Sequence, residues 1–319
     1  MTGRLPRVEH TYQNHLMDST RWDHIQPRSD DVIIATPIKS GTTWMQSIVL
    51  HLIFQDMQPK AINDYSPWVD NRLSPVEEMA AKVEALTYRR CLKSHLPLDG
   101  LRHVEQVKYI VVGRDPRDVF MSLWNHYSAY TPAMFEALNE TPGRVGPPMP
   151  PCPDDIREFW NLWINNGWFH WESEGYPHWS NFRHVQTWWN YKQLSNILLV
   201  HFNDLLADLE GEIARIAAYL EIECAPATLT AIAEMVEFKS MKRDAEKLEP
   251  DAHLRFKGGA KTFINKGTNG RWRSVLTASD LEMYDAAVAR ELTPDCHQWL
   301  EQGRLAIKDG IRSRGESGA

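Results

Sequence analysis

A short turn between two apolar segments carries the residues with the clearest chemical potential. The β-branched run 31–36 precedes it and the amphipathic run 45–54 follows it, which predicts strand, turn and helix. Unpaired N–H groups at a helix N-terminus attract anionic oxygens, and a glycine lets the backbone approach a phosphate closely. A lysine there can neutralise charge that develops in a transferred group. A phosphate-binding turn is therefore predicted over Lys39, Ser40, Gly41, Thr42, Thr43 and Trp44.

The residue order in this turn differs from that of a Walker A loop, Gly-x-x-x-x-Gly-Lys-Ser/Thr. Here Lys39 precedes Gly41, and no second glycine lies upstream. A P-loop kinase or NTPase would also need an aspartate to hold Mg²⁺. Such a phosphotransferase is kept as an alternative, but the turn favours a different kind of nucleotide site.

Three other segments hold residues that could act beside this turn. His95 ends an apolar strand, where an imidazole can serve as a general base, although a lone histidine is more often a satisfied polar residue. Arg114 ends another strand, and Ser122 follows about two helical turns later. Pairing of Arg114 with a carboxylate would explain that segment equally simply. Lys266 and Gly267 form a turn that either faces a phosphate or is merely exposed.

The elements that must position these residues alternate along the chain. Strands are predicted over 32–36, 90–94, 107–112 and 196–202, and helices over 43–55, 75–86, 116–127 and 209–220. This alternation favours the α/β class, with a mainly parallel central sheet flanked by helices and a nucleotide-binding core like that of P-loop kinases. Ligands of such sheets bind at the carboxyl ends of the strands, where Lys39 is expected.

The chain is predicted to form one domain over residues 1–319, because no repeat or linker divides it. Within that domain, the expected subdivisions are an N-terminal extension over 1–25, a long Pro- and Gly-rich loop over 131–153, a lid over 244–270 and a frayed tail over 308–319.

Composition excludes several classes of function. The net charge of −7 argues against broad nucleic-acid binding, which favours basic surfaces. No apolar run approaches the length of a transmembrane segment, and the polar N-terminus does not resemble a signal peptide. The histidines show no metal-ligand spacing, so no bound metal is expected. Free thiols in a reducing, cytoplasmic location are predicted for Cys91, Cys152, Cys224 and Cys296.

Taken together, the four segments resemble the cytosolic-type sulfotransferases, and the chain is similar to a bacterial-like member of that family. The family carries the segments P-K-S-G-T-T-W, K-T-H-L-P, R-x-P-x-D-x-x-x-S and R-K-G-x-x-G-x-W-K. This chain has matching residues in the same order at 39–44, 93–97, 114–122 and 266–272. The resemblance extends from residue 31 to about residue 285.

The resemblance implies a donor, 3′-phosphoadenosine 5′-phosphosulfate (PAPS), and a product nucleotide, 3′,5′-ADP. The sulfuryl group would pass to an alcohol, phenol, amine or lipid, without a metal. The many tryptophans of the middle third favour an apolar acceptor, although they could equally fill the core. A non-catalytic nucleotide-binding protein is a further alternative, disfavoured because Lys39 and His95 are both present.

The resemblance also implies residue roles. Lys39 would neutralise the leaving 5′-phosphate, His95 would take the acceptor proton, and Lys93 would steady the sulfuryl oxygens, with Ser122 as the fourth catalytic residue. The residues implied in donor binding are Lys39, Ser40, Gly41, Thr42, Thr43, Trp44, Arg114, Ser122, Phe202, Phe238, Asn265, Lys266 and Gly267. Asn265 replaces an arginine of the family and removes one cation from the 3′-phosphate site. Phe202 replaces a tyrosine that many members have near the adenine.

The segment 273–282 bears on oligomeric state. It partly matches a K-x-x-x-T-V-x-x-x-E segment through which some relatives dimerise, so the chain is expected to be a monomer or a homodimer. A helix start capped by Thr277 explains the same residues equally well.

Overall fold

A parallel sheet forms the centre of the chain in the computed structural model, which describes residues 5–307. Its strands are β1 (Val32–Ala35), β2 (Cys91–Ser94), β3 (Lys108–Gly113) and β4 (Ile197–His201). They stand in the order β2-β1-β3-β4, and each neighbouring pair is parallel. The predicted α/β class and parallel sheet are confirmed.

Helices fill the connections between the strands and the region after β4. In chain order they are α1 (Thr42–Phe54), α2 (Ile62–Tyr65), α3 (Val76–Glu84), α4 (Pro116–Tyr127), α5 (Pro132–Glu140), α6 (Ile156–Asn165), α7 (Asn181–Trp189), α8 (Phe202–Ala207), α9 (Leu209–Leu220), α10 (Pro226–Val236), α11 (Phe238–Arg243), α12 (Ala245–Leu248), α13 (Ala252–Arg255), α14 (Ala260–Phe263), α15 (Ala278–Glu291) and α16 (Pro294–Gln302). Short 3-10 helices span Ser19–His24, Leu98–Gly100 and Arg271–Ser274.

The strand order brings the carboxyl ends of all four strands to one edge of the sheet. Ala35 of β1 lies opposite Ser94 of β2 and Val111 of β3, and Gly113 of β3 lies opposite His201 of β4. The residues that leave these strands therefore emerge side by side. These are the turn after β1 and then, after the other three strands, His95, Arg114 and Phe202.

The prediction of a long loop over residues 131–153 is wrong for the first part of that range, which forms helix α5. Thr131 is the N-cap, with its side chain accepting a hydrogen bond from the backbone N–H of Met134, and Pro132 stands in the first turn. Met134 and Leu138, four residues apart, are buried on the same helix face. The Pro and Gly content that indicated a loop belongs to the residues that follow the helix.

The segment 244–270 is packed more firmly than its sequence indicates. Its short helices α12, α13 and α14 bury Ala245, Leu248, Ala252 and Ala260. Backbone hydrogen bonds tie it to the end of α4, from Lys257 N–H to the Ala129 carbonyl at 2.8 Å. Single small residues at irregular spacing show no periodic pattern, so the sequence does not indicate this burial.

Residues 5–25 of the predicted N-terminal extension pack against the domain, with Tyr12, Leu16 and Met17 buried in its core. The predicted tail over 308–319 and the first four residues of the extension lie outside the described residues. In the segment 273–282, Thr277 caps α15 through a reciprocal capping box with Asp280. The capping interpretation is thus confirmed, and the oligomeric state stays a prediction.

An ion pair fixes the amino ends of β1 and β2, opposite the edge where the turn lies. Arg90 is fully buried, and its Nε and Nη2 donate to the two carboxylate oxygens of Asp31 at 2.7 and 2.6 Å. Glu84 receives a third bond, from Nη1 at 2.8 Å. Bidentate geometry compensates two charges that are withdrawn from water.

Replacing Arg90 by Met should lower the free energy of unfolding by about 3–5 kcal/mol, because Asp31 would be left buried and unpaired. The measurement is urea unfolding followed by circular dichroism. The matched control is Lys82→Met in the exposed pair with Asp64, whose loss should cost less than about 1 kcal/mol. Equal effects of the two substitutions would contradict this account of the buried pair.

Candidate active site

A cavity of about 240 Å³ opens at the carboxyl edge of the sheet and gathers most of the predicted site residues. Those in its lining are Lys39, Gly41, Thr42, Thr43, Trp44, Lys93, His95, Arg114, Ser122, Phe202, Phe238, Asn265 and Gly267. Two predicted residues do not line it. Ser40 is buried beneath the turn, and the Lys266 side chain is exposed to solvent.

The turn after β1 presents an open helix N-terminus to this cavity. Lys39 and Gly41 adopt left-handed backbone conformations, with φ of 66° and 113°. Gly41 is the N-cap of α1 and supplies no side-chain cap, so the first N–H groups of the helix have no partner within it. A Cβ at Gly41 would lie 3.1 Å from the Phe202 ring, so the position needs glycine for space as well as conformation. The arrangement suits an anionic oxygen.

His95 has its ring tautomer fixed by the backbone of the turn. Its Nδ1 lies 2.7 Å from the carbonyl oxygen of Thr36. Because a carbonyl oxygen only accepts, Nδ1 carries the proton and the lone pair of the neutral ring is on Nε2. Burial lowers the pKa of His95 well below its ordinary value, and the nearby Lys93 lowers it further. His95 is thus a neutral imidazole with an available proton acceptor.

Buried Asp70 holds the backbone and the surroundings of His95. One carboxylate oxygen accepts from the backbone N–H of His95 at 3.1 Å and from the Trp68 indole at 2.8 Å. The Trp68 ring in turn meets the His95 ring edge to face, with centroids 4.9 Å apart, and supports the Lys93 ammonium at 4.1 Å. Asp70 therefore positions the histidine and, through Trp68, the lysine.

The cavity withdraws several cations from bulk water. Burial lowers the pKa of Lys39 to about 7, and the positive charges of Lys93 and Arg114 contribute to that shift. Burial likewise lowers the pKa of Lys93 to about 8, against the opposing effect of the Glu249 carboxylate. Both lysines would hold their protons more firmly if an anion occupied the cavity.

Arg114 joins β3 to the turn at residues 268–270. Its guanidinium donates to the side-chain oxygen of Asn269 at 3.0 and 2.7 Å and to the backbone carbonyl oxygens of Thr268 and Lys39, both at 3.2 Å. It also stacks on the Phe202 ring at 4.2 Å. The alternative of a carboxylate partner is wrong, because these neutral oxygens take its hydrogen bonds. Burial lowers the pKa of Arg114 to about 10, and the nearby carboxylates of Asp118 and Asp115 oppose that shift, so its positive charge is partly compensated without a direct hydrogen bond to either carboxylate.

Aromatic rings line the part of the cavity next to Arg114. Trp44 meets Phe202 edge to face, with ring centroids 5.2 Å apart. Phe238 lies against Gly267, where φ is 62° and an added Cβ would stand 2.2 Å from the ring. The backbone of the late turn thus approaches the cavity only because residue 267 is glycine. Three rings with one cation suit a flat heterocycle that carries an anionic group.

Sequence reasoning missed the residues at the other part of the cavity, which include His126, Tyr130, Glu249, Arg255 and Phe256. His126 could have been found, since it follows Ser122 by one helical turn and shares its helix face. The ion pair between Arg255 and Glu249, at 2.7 Å, comes from the segment expected to be a loosely anchored lid. No spacing in the sequence indicates that pair.

The fold and this cavity define an α/β protein built to bind a ligand with anionic groups at the carboxyl edge of a parallel sheet. The chain belongs to the sulfotransferase family, whose sulfotransferase domain matches residues 29–297. It is 30% identical to a glycolipid sulfotransferase of Mycobacterium bovis, over 92% of this chain and 94% of the relative. Identity to rat sulfotransferase 1A1 is 27%, over 84% of this chain and 86% of the relative.

Solved structures share the fold. A retinol dehydratase in complex with androsterone and the inactive cofactor PAP superposes with a TM-score of 0.67, at 21% identity, over 86% of this chain and 84% of that one. A mouse sulfotransferase complexed with PAP gives 0.66, at 20% identity, over 88% of this chain and 92% of that one. The predicted family is thus confirmed, and the kinase alternative is set aside.

The structure bears on the cysteines and on membrane-spanning helices. Cys91, Cys152, Cys224 and Cys296 are all free thiols. Within residues 5–307, no helix has both the length and the apolar character needed to cross a membrane.

Nucleotide binding should be accompanied by proton uptake near pH 8. In the free enzyme the lowered pKa of Lys39 leaves it largely neutral there, and Lys93 is partly neutral. A bound polyanion raises both pKa values, so on the order of one proton is taken up between the free and bound pKa. Calorimetry of 3′,5′-ADP binding in buffers of different ionisation enthalpy measures this uptake.

The matched variant is Lys39→Met, which should lose the larger share of the uptake. The effect should fade below about pH 6, where both lysines are already protonated. Binding enthalpies that do not depend on the buffer at pH 8 would contradict the electrostatic description of the cavity.

Proposed function

We propose that this sulfotransferase moves the sulfuryl group of PAPS to a hydroxyl group of a lipid-like acceptor, with His95 as the general base. The observation that carries the proposal is the hydrogen bond from His95 Nδ1 to the Thr36 carbonyl. It leaves the lone pair of Nε2 available in the same cavity that holds the phosphate-binding turn.

The reaction we propose is an in-line displacement at sulfur. The acceptor oxygen bonds to the sulfur as the bond from sulfur to the 5′-phosphate oxygen breaks. The acceptor proton passes to Nε2 of His95, and the electron pair of the broken bond stays on the leaving 3′,5′-ADP. Lys39 meets that growing charge, and Lys93 steadies the sulfuryl oxygens.

The donor fits the groups that line the cavity. The open N-terminus of α1 and Lys39 would receive the 5′-phosphosulfate, and Trp44 and Phe238 would flank the adenine. Arg114 and Ser122, with the backbone at Gly267, would contact the 3′-phosphate. Complexes of two related folds with PAP support this placement. Asn265 and Phe202 line the same region but supply no charge, and exposed Lys266 would act only through a change of side-chain conformation.

The acceptor would occupy the part of the cavity around Tyr130. The lining of the cavity includes polar Asn63, Asn71 and Glu249 and the apolar side chains of Leu16, Leu73, Met134, Phe256, Phe263 and Ile264. Apolar walls with several hydrogen-bonding groups suit an amphiphile that bears hydroxyls. Relatives named glycolipid sulfotransferases support this class of acceptor. A screen of long-chain alcohols, phenols and glycolipids with labelled PAPS would identify it.

We also infer that the segment 244–270 acts as a lid and that the enzyme works in the cytoplasm. The segment carries Phe263, whose ring lies 4.9 Å from the Lys39 ammonium, and Glu249 and Arg255, which line the acceptor region. Lys242 on α11 binds it through the carbonyl oxygens of Lys261, Ile264 and Asn265. The free thiols of the chain suit a reducing location.

Replacing His95 by Ala should lower kcat by about 100-fold to 10,000-fold, because the acceptor proton would have no positioned base. Affinity for 3′,5′-ADP should change little, since the ring is assigned to the acceptor proton and not to the nucleotide. Turnover with labelled PAPS and calorimetry of the nucleotide provide the two readouts. The control is His103→Ala, because His103 does not line the cavity. A variant that keeps most of its turnover would remove His95 from this role.

Replacing Arg114 by Met should reduce the preference for 3′,5′-ADP over AMP by about 10-fold to 100-fold, as expected for one charge-assisted contact. Affinity for AMP should be almost unchanged, because the 5′-phosphate is held by the turn. Exposed Arg102→Met is the control for net charge. Equal affinities of the wild-type enzyme for the two nucleotides would refute the assigned 3′-phosphate site.

A further inference from the structure

The Lys39 ammonium group already has a hydrogen-bond partner in the nucleotide-free enzyme. Its Nζ lies 3.1 Å from Nδ1 of His126. In its protonated form Lys39 only donates, so Nδ1 then accepts and the proton of the neutral imidazole is on Nε2. The Phe263 ring adds a cation–π contact, with its centroid 4.9 Å from Nζ. The lysine of the phosphate-binding turn is therefore directed toward the acceptor region.

The His126 ring is held in place by aromatic packing. Its centroid lies 4.5 Å from that of Phe256, 5.3 Å from Tyr130 and 5.8 Å from Phe263. Burial and the Lys39 charge lower the pKa of His126 well below its ordinary value, so the ring stays neutral. A fixed, neutral imidazole in this position is an available hydrogen-bond acceptor at Nδ1 whenever Lys39 leaves it.

Donor binding and this contact compete for the same ammonium group. A hydrogen bond between an ammonium and an anionic oxygen is stronger than one to a neutral acceptor, so a phosphosulfate should draw Lys39 away. The flexible four-carbon stem of lysine permits that movement. The departure of Lys39 leaves His126 Nδ1 free to accept a hydrogen bond in the cavity that Glu249 and Asn63 also line.

We propose that His126 is a positioning residue that couples the two substrates: it holds Lys39 in the nucleotide-free enzyme and, once Lys39 turns to the donor, accepts a hydrogen bond from a hydroxyl of the acceptor. This inference rests on the proposed role of Lys39 at the donor. The nucleotide would bind Lys39 and the acceptor would bind His126, so each ligand requires the hydrogen bond between these two residues to be broken. Once one ligand has broken it, the other binds more tightly. This coupling also favours acceptors with a hydroxyl besides the one that reacts.

The first test is the affinity of 3′,5′-ADP, measured by calorimetry. His126→Phe keeps the aromatic packing and removes Nδ1, so the nucleotide no longer has to break the contact. Its affinity should rise about 3-fold to 10-fold, a typical effect of one hydrogen bond. His126→Asn, which restores an acceptor atom, should bind the nucleotide more like the wild type. Exposed His24→Phe is the control. Unchanged or weaker binding by His126→Phe would overturn the proposal.

The second test uses octyl glucoside, an apolar chain with several hydroxyls, below its micelle concentration. It should strengthen 3′,5′-ADP binding in the wild type and much less in His126→Phe. No strengthening in the wild type, or equal strengthening in both, would overturn the coupling.

Lys39→Met separates this inference from the proposed function. If that variant keeps normal turnover, the donor role of Lys39 fails. If its turnover falls while His126→Phe changes neither readout, only the role of His126 fails. In the Lys39→Met background, His126→Phe should no longer raise nucleotide affinity, and a rise of the same size there would overturn the proposal.

Discussion

The Lys39 ammonium is withdrawn from bulk water near three other cations, Lys93, Arg114 and Arg255, with a neutral imidazole as its hydrogen-bond partner. Burial and like charge both act against the protonated form of this lysine. An anion in the cavity would relieve both effects at once. The local surplus of positive charge sits in a chain whose net charge is −7, so it is a property of the site and not of the surface as a whole.

The sheet makes this concentration of charge possible. Parallel strands end at one edge, so residues far apart in the chain emerge next to each other. Lys39 follows β1, Lys93 is the last but one residue of β2 with His95 just after the strand, and Arg114 follows β3. The backbone at each cation is anchored in or near a strand end, while the lysine side chains keep their flexible stems. Hydrogen bonds from Arg114 to the Lys39 carbonyl and to Asn269 then fix the turn and the late segment to the same edge.

The two parts of the cavity are built differently. The part assigned to the donor consists of strand ends, the N-terminus of α1 and a glycine at 267 that lets backbone approach Phe238. The part assigned to the acceptor is formed by side chains from residues 5–25, α4, α5 and the segment 244–270. Those elements connect to the sheet through loops, which tolerate sequence change more readily than strands do.

The sequence by itself determined the strands and the turn after β1, because each depends on local order. A β-branched run followed by Lys39 and Gly41 dictates strand, turn and helix. Two further helices, over 116–127 and 209–220, have the predicted bounds. The resemblance to a family then joined His95, Arg114 and Gly267 into one site, which spacing alone left open.

Only the tertiary structure decided which other side chains face the same cavity. His126 meets Lys39 across 87 positions of the chain, and Glu249 meets Asn63 across 186. No periodicity links such pairs, since their distance depends on how α4 and the segment 244–270 pack over the sheet. The sequence did not indicate helix α5 for a related reason, because the burial of this helix depends on contacts with the segment 244–270. Local order determined the donor turn, and long-range packing determined the partner that the turn's lysine has before the donor arrives.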